Sequence, residues 1–163
     1  MVIADLVSAD LVNANLVSSD MEGVFSEIVN TLYANRQIAD KTEALNALLE
    51  REKHGSTGIG NGVAVPHARL ETLAKSVLYV GISKKGIDFS SLDQKPARII
   101  ILLLAPVSDI GSSLKILANI ARMINDRYFT NQLMQASSNE ELYNILKQSS
   151  HDKETAYAFK DHS

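Results

Sequence analysis

The 163-residue sequence contains no cysteine, which excludes disulfide bonds, thiolate catalysis and cysteine-ligated zinc sites. It also lacks an excess of positive charge, since its net charge is −3, and binding to nucleic-acid phosphates is therefore disfavoured. The longest apolar run, residues 99–107, falls well short of the roughly 20 residues that a membrane helix needs. The N-terminus lacks the basic and apolar regions of a signal peptide. We therefore expect a cytoplasmic protein without a nucleic-acid partner or membrane insertion.

A metal centre is also not expected. The histidines show neither His-x-x-x-His nor Glu-x-x-His spacing; they are His54, His67, His151 and His162. Hydrophobic residues make up 45% of the chain, which fits one compact domain with a substantial core. From Ser149 onward the sequence is polar and has no sustained apolar stripe. We therefore predict one domain at residues 1–148, a polar C-terminal tail at 149–163, and neither a metal nor another cofactor.

The first twenty residues repeat with a period of five. Ala-Asp-Leu-Val recurs as Ala-Asp-Leu-Val and then as Ala-Asn-Leu-Val, starting at Ala4, Ala9 and Ala14. Pentapeptide solenoids use a similar core, but a solenoid needs many stacked turns and this repeat stops after three. We expect instead a short helix followed by an edge strand near residues 12–16.

Apolar residues at helical spacing predict five helices beyond the N-terminus. The first follows Asp20, and the second follows the N-cap Asp40 and ends at Gly55. The third begins at Ser112. Its expected buried stripe is Leu114, Leu117, Ala118, Ala121 and Ile124, widened by Ile120 and Met123. A short helix is expected at residues 130–136, and the last follows Ser138, which forms a capping box with Glu141.

Two segments read as strands. Residues 76–83 are rich in β-forming residues and stop at an expected break, Lys84-Lys85-Gly86. Residues 98–105 are apolar at nearly every position, as in a strand covered by helices on both faces. The order of helices and strands predicts an α/β fold, a single-domain three-layer sandwich whose mixed, mostly parallel β-sheet is flanked by helices on both faces.

Residues 55–69 carry the most distinctive composition. Four glycines lead into a short apolar run, and then Pro66 holds the backbone extended before His67; the glycines are Gly55, Gly58, Gly60 and Gly62. A Walker loop would end in Gly-Lys-Ser/Thr, which is absent here. The dinucleotide fingerprint fails too, because Val63 stands where its third glycine would be.

A histidine beside a glycine-rich loop suits anion chemistry. Backbone N–H groups of such a loop bind anions, and neutral imidazole is a good nucleophile near pH 7. A phosphoryl group on His67 would need donors, for which arginine is geometrically suited. The local candidates are Arg51, Ser56, Thr57 and Arg69. The alternative is that His67 is simply a hydrogen-bonded loop histidine, and the residues alone leave both possibilities open.

The segment also resembles a known family. It is similar to the active-site segment of enzyme IIA of the fructose/mannitol class in the bacterial phosphotransferase system, which includes the nitrogen-regulatory IIA proteins. The residues that carry the likeness are Arg51-Glu-Lys-His-Gly-Ser-Thr-Gly-Ile-Gly-Asn-Gly-Val-Ala-Val-Pro-His67-Ala-Arg69, with Gly86-Ile-Asp-Phe89 and Leu92-Asp-Gln-Lys-Pro96 beyond them. With no fused IIB or membrane IIC segment in these 163 residues, the nitrogen-regulatory branch is favoured, and a sugar-specific IIA protein is the alternative because such domains also occur as separate chains.

The resemblance implies a phosphohistidine carrier. In that family His67 would accept a phosphoryl group from the histidine-containing phosphocarrier protein and pass it to a IIB domain, or signal to a regulatory target by its phosphorylation state. Arg51 matches a family arginine near the phosphohistidine. One departure stands out, because the family commonly has a second histidine where this chain has Ser113. A serine there could act only as a weaker, uncharged hydrogen-bond donor.

Two functions follow. The first is a phosphoryl carrier that accepts and donates at His67. The second is a docking module that binds target proteins without efficient phosphotransfer, which the Ser113 departure keeps open. Both require an exposed apolar surface near His67, for which Val65, Leu70 and Ile59 are the candidates.

Overall fold

A computed structural model describes residues 3–148 of the chain. The predicted tail at 149–163 lies outside the described residues. In chain order the helices are α1 (Ile3–Leu6), α2 (Met21–Ala34), α3 (Lys41–Lys53), α4 (Ile110–Ile124), α5 (Arg127–Met134) and α6 (residues 139–148). The strands are β1 (Val12–Asn13), β2 (Gly58–Gly60), β3 (Val63–Ala64), β4 (His67–Leu70), β5 (Val77–Ile87) and β6 (Ala97–Pro106).

The six strands form one mixed sheet in the order β1-β5-β6-β3-β2, and β4 also pairs with β6. The pairings of β1 with β5, β3 with β6 and β4 with β6 are parallel. The pairings of β2 with β3 and β5 with β6 are antiparallel. The predicted α/β fold with a mixed sheet is therefore confirmed. Successive parts of β6 pair with β3 and then β4, so β4 continues the sheet along the same side of β6.

Strand β6 is the centre of the core. Because side chains alternate between the two faces of a strand, Ile99, Ile101 and Leu103 pack on one face, against α4, α5 and α6. The intervening Ile100, Leu102 and Leu104 pack on the other face, against α2 and α3. The uninterrupted apolar run of β6 thus serves two helical layers, which confirms the three-layer sandwich.

Aspartate caps fix the starts of the early helices. The Asp20 carboxylate accepts a hydrogen bond from Gly23 N at 2.6 Å, and the Asp40 carboxylate accepts one from Glu43 N at 3.1 Å. These bonds satisfy N–H groups that a helix N-terminus leaves without partners. At the other end, α3 is capped by His54 and followed by Gly55 with φ +143°. Both helices lie where the sequence predicts them.

The N-terminal repeat does not form a solenoid. It forms α1, a 3-10 turn at Ala9–Leu11 and the edge strand β1, as expected. In β1, Val12 pairs in parallel with Val80. Within residues 3–148, every helix is too short or too polar to span a bilayer.

The predicted break at Lys84-Lys85-Gly86 is wrong, because β5 continues to Ile87. The pairing with β6 changes register between Ile82 and Ile87. Gly86 adopts φ +84° and its N–H donates to Ser83 Oγ at 3.1 Å. A β-bulge of this kind absorbs turn-like residues without ending the strand.

The predicted buried stripe of α4 is also wrong in part. The helix begins at Ile110, capped by Asp109, and its buried residues are Ser113, Ile116, Ile120 and Met123. Leu114, expected in the core, is 57% exposed. Helix α5 likewise begins earlier than expected, at Arg127, because Asp126 caps it. At α6 the Ser138 hydroxyl accepts from Glu141 N at 3.1 Å, so the predicted cap is in place.

Candidate active site

Strand β4 holds His67 at the edge of the sheet. It is parallel to β6, with His67 opposite Leu103, and within residues 3–148 no second strand pairs with its other side. Along this open edge lies a cleft of about 440 Å³. Its lining comes from α3, β4, β6 and α4: Ala47, Glu50, Arg51, His67, Ala68, Arg69, Leu103, Ala105, Ser113 and Leu117. The cleft therefore brings together four of the residues that the sequence singles out, namely His67, Arg51, Arg69 and Ser113.

The hydrogen bond of the His67 ring determines which nitrogen is available. Nδ1 lies 2.8 Å from the carbonyl oxygen of Val65. A carbonyl oxygen only accepts hydrogen bonds, so Nδ1 must carry the proton. In the neutral ring the lone pair is then on Nε2. The geometry thus assigns His67 the tautomer in which Nε2 is the nucleophilic atom.

The charges of the cleft come from Arg51, Arg69 and Glu50. Arg51 lies in the last turn of α3, and its Nη1 donates to the Gly55 carbonyl at 2.8 Å. This bond uses one of the five guanidinium N–H groups, which leaves others for an anion. Arg69 is exposed at the cleft wall. Among residues 3–148, no three His, Asp or Glu side chains lie close enough together to hold a metal ion.

Thr57 does not line the cleft, but a series of hydrogen bonds joins it to His67. The Thr57 hydroxyl and N–H both donate to the Glu52 carboxylate, the latter at 3.2 Å. The Thr57 carbonyl in turn accepts from Val65 N at 2.9 Å. Val65 carries the carbonyl that receives the His67 Nδ1–H. We name this series the Glu52–Thr57–Val65–His67 chain. It ties the ring to the end of α3.

Ser56 also bonds within the loop rather than lining the cleft. Its hydroxyl donates to the Phe89 carbonyl and accepts from Gly58 N at 2.9 Å. The predicted phosphate donors thus divide into two groups. Arg51 and Arg69 line the cleft with His67, while Ser56 and Thr57 form hydrogen bonds that hold the loop in place.

The glycines of the loop mostly serve its folding. Gly60 and Gly62 have φ of +89° and +80°, which they use in the turn from β2 to β3. Gly58 is packed so tightly that an added Cβ would lie 2.2 Å from Ser91 Oγ. Val63 pairs with Ile99 and His67 with Leu103, so this turn lies at least about 13 Å along the sheet from His67. The structure therefore does not bring Gly60 and Gly62 to His67. Pro66 is bonded into the sheet through its carbonyl, which accepts from Leu103 N at 2.9 Å.

Ser113 lies in the first turn of α4 and is 3% exposed. Its hydroxyl donates to the Ile110 carbonyl at 2.9 Å. A hydroxyl has a single hydrogen to donate. Ser113 could therefore donate to a ligand in the cleft only by giving up that bond.

Comparison with known proteins identifies the family of this chain. The sequence profile of the family described as "Phosphoenolpyruvate-dependent sugar phosphotransferase system, EIIA 2" matches residues 5–149. The chain belongs to the EIIA type 2 family. That assignment confirms the resemblance found in residues 51–69, and places this chain among components of a phosphotransferase system.

The relatives of this EIIA chain include regulatory and sugar-specific proteins. A nitrogen regulatory protein of Klebsiella oxytoca is 35% identical over 130 residues, covering 78% of this chain and 80% of the relative. The fructose-specific EIIABC component of Bacillus subtilis is 30% identical over 153 residues, 94% of this chain but 24% of that protein. The crystal structure of nitrogen regulatory protein IIA-Ntr from Neisseria meningitidis superposes with a TM-score of 0.81 at 27% identity, covering 88% of this chain and 98% of that one.

The apolar surface of this EIIA chain differs from the prediction. Val65 and Leu70 are buried, at 8% and 1% exposure, because both belong to the core. Ile59 is exposed, and so are Ile110 and Leu114 of α4. Ile110, Leu114 and Leu117 follow helical spacing, and Leu117 lines the cleft. We call these three the α4 stripe.

Six of the ten cleft residues were not predicted as site residues, and two of them, Glu50 and Leu117, supply a charge and an apolar side chain. The sequence places Leu117 in the buried stripe of α4 and not at a site. Glu50 precedes Arg51, and Leu117 is four residues after Ser113. The i, i+4 spacing from Ser113 is the signal that could have found Leu117.

Proposed function

We propose that this EIIA chain carries a phosphoryl group on Nε2 of His67. The observation that supports the proposal is the bond from Nδ1 to the Val65 carbonyl, in a cleft that also contains Arg51 and Arg69. It leaves Nε2 unprotonated on the neutral ring. The two guanidinium groups suit the dianionic phosphoryl group, because their fork geometry matches phosphate oxygens.

The step we propose is a displacement at phosphorus. The Nε2 lone pair forms a new N–P bond while the N–P bond of a donor phosphohistidine breaks, and the bonding pair returns to the donor ring. The Nδ1 proton stays on His67. Positive charge that develops on the imidazole is stabilised by the Val65 carbonyl, and charge on the phosphoryl oxygens by Arg51 and Arg69. No metal is required, because the two nitrogens are chemically similar.

The donor we propose is a histidine-containing phosphocarrier protein. A protein donor must bring its own histidine into the cleft. Ile110 and Leu114 of the α4 stripe are exposed, and its partly buried Leu117 lines the cleft. The recipient is a IIB domain or a regulatory target protein. The name EIIABC of the Bacillus subtilis relative supports a IIB domain, and the name of the Klebsiella oxytoca relative supports regulation.

A second candidate is a regulatory docking module with impaired phosphotransfer. The observation that favours it is the Ser113 hydroxyl, which already donates to the Ile110 carbonyl. The resemblance to the family leads us to expect a histidine at this position. Without that second imidazole, the phosphoryl group would have fewer donors on the α4 side of the cleft, while the α4 stripe would still bind a partner.

Intact-mass measurement after phosphorylation separates these two functions. The protein is incubated with phosphoenolpyruvate, enzyme I and the phosphocarrier protein. We expect the mass of one phosphoryl group to be gained and to be lost on mild acid treatment. The gain should disappear in His67→Ala and persist in His54→Ala, a matched control in the same loop region. If the wild-type protein gains no mass while an active IIA protein in the same mixture does, the carrier proposal fails and the docking module is favoured.

A further inference from the structure

A second cleft lies at the other end of the sheet from His67. Its volume is about 580 Å³, within the range of small-molecule sites. It is bounded by the β2–β3 turn, the start of β6 and the junction of α4 with α5. The lining residues that matter here are Lys95, Arg98 and Arg127, with Asn125 and Asn131 beside them. None of the residues that line the His67 cleft lines this second cleft.

The charged side chains that line this cleft are positive. Lys95, Arg98 and Arg127 line it and, among the described residues 3–148, no acidic side chain does, although acidic residues outnumber basic ones in the whole chain, 19 to 16. The side chains of Arg98 and Arg127 form no hydrogen bond or ion pair with any residue in 3–148. Like charges gathered without a counter-charge repel one another, so an anion between them is favoured.

Two carboxylates are close in sequence to cleft residues, Asp126 and Asp93, and neither lines the cleft. Asp126 accepts a hydrogen bond from Phe129 N at 3.2 Å. Asp93 interacts with Lys95, but its oxygens accept from the backbone N–H groups of Asn61 at 2.9 Å and Lys95 at 3.1 Å. These bonds keep the pKa of Asp93 below its usual value. The carboxylate is thus held by the loop backbone, and Arg98 and Arg127 remain available to a ligand.

The other lining groups indicate the size and chemistry of the ligand. The side-chain amides of Asn125 and Asn131 can donate hydrogen bonds, while Pro96, Ile124 and Met134 supply apolar surface. A bare inorganic ion would use only the cationic groups. A small organic molecule with charged groups at two points would use the cations, the amides and the apolar surface together.

We propose that this distal cleft binds a small organic anion with at least two phosphate or carboxylate groups, separately from the His67 cleft. The guanidinium groups of Arg98 and Arg127 bind its charged groups by paired N–H contacts. Lys95 contributes a third positive charge. Asn125 and Asn131 orient the ligand.

The test is an NMR titration of the uniformly ¹⁵N-labelled full chain. The probes are fructose 1,6-bisphosphate, citrate and inorganic phosphate. Saturable shifts of the Gly62, Arg98, Asn125 and Asn131 amides with either organic probe, and tighter binding than inorganic phosphate, would support the proposal. Shifts confined to residues of the His67 cleft would overturn it, as would shifts that never saturate. Equal affinity for inorganic phosphate would also overturn it, because the site would then select no organic anion.

Charge-matched variants make the test specific. Arg98→Gln with Arg127→Gln should weaken binding by about tenfold or more, since two charge-assisted contacts are lost. Lys75→Gln with Lys115→Gln removes the same charge from exposed positions outside the cleft and should leave the affinity within about twofold, as expected of distant sites. Equal weakening in both double variants would mean that only net charge matters, and would overturn the assignment. The spectra themselves report whether each variant is folded.

Discussion

Replacing Thr57 with valine tests whether the Glu52–Thr57–Val65–His67 chain holds the ring. Valine keeps the shape of the side chain and removes only the hydroxyl that donates to Glu52. Hydrogen bonds to charged groups contribute about 1.5–3 kcal/mol. Thr57 is 3% exposed, but the Glu52 carboxylate is half-buried and keeps its bond from Thr57 N. We therefore expect a loss of about 1–2 kcal/mol in the free energy of unfolding, measured by urea denaturation.

The effect on His67 is the decisive part of this prediction. When the Val65 carbonyl is held less firmly, the His67 ring should also populate its other tautomer. In long-range ¹H–¹⁵N spectra the chemical shifts of Nδ1 and Nε2 should then move toward a common average. Phosphorylation should slow by about threefold to tenfold, equivalent to roughly 1 kcal/mol of lost positioning. Thr72→Val is the matched control, because Thr72 also donates to a glutamate of α3, Glu43, at 2.6 Å. It should leave the ring nitrogens unchanged. The reasoning fails if Thr57→Val lowers stability while the tautomer and the phosphorylation rate stay as in the wild type.

Three further predictions concern the cleft, the α4 stripe and the core. Ser113→His should speed phosphorylation by about tenfold, the effect of one added charged donor. An unchanged rate in single-turnover assays would show that serine at this position does not slow phosphorylation. Leu114→Gln should slow transfer from the phosphocarrier protein but not from phosphoramidate, because Leu114 is 57% exposed; equal slowing with both donors would argue against docking there. Burial raises the pKa of Tyr79 to about 12, so it stabilises the fold below pH 10 and loses that contribution as pH rises toward 12. Tyr79→Phe should remove about 2–3 kcal/mol of that pH dependence in chemical denaturation, and an identical slope in both proteins would contradict it.

The fold could be predicted where local signals and burial agree. The run at residues 99–106 is apolar on both faces, and in the structure it is indeed covered on both faces. Asp20 and Asp40 mark the first turns of α2 and α3, because a side-chain cap leaves the same signature in sequence and structure.

The buried face of α4 could not be predicted from periodicity. Apolar residues surround most of this helix, so several stripes fit the same spacing. Leu114 belongs to the regular stripe and is exposed, whereas the polar Ser113 is buried, with its hydroxyl bonded to the Ile110 carbonyl, and lines the cleft beside His67. The continuation of β5 through the bulge at Gly86 could not be predicted either, because turn-forming residues do not reveal that a strand resumes after them.

The sequence could predict the residues at the centre of the candidate site but not the arrangement around them. His67 and Arg51 could be singled out because the glycines, Pro66 and the family resemblance point to the same short segment. The different roles of the nearby residues could not be predicted, because these roles depend on tertiary hydrogen bonds. Thr57 and Ser56 bond to Glu52 and Phe89, and no sequence pattern distinguishes a hydroxyl that holds a loop from one that faces a ligand.

In the proposed phosphotransfer, Nε2 of His67 receives the phosphoryl group while Nδ1 keeps its proton. Long-range ¹H–¹⁵N spectra of the phosphorylated protein test this directly, because the phosphorylated nitrogen splits by coupling to ³¹P. We expect the coupled nitrogen to be Nε2 of His67, with Nδ1 still protonated and bonded to the Val65 carbonyl. Phosphorus coupled to Nδ1, or to a nitrogen of any other histidine, would contradict it.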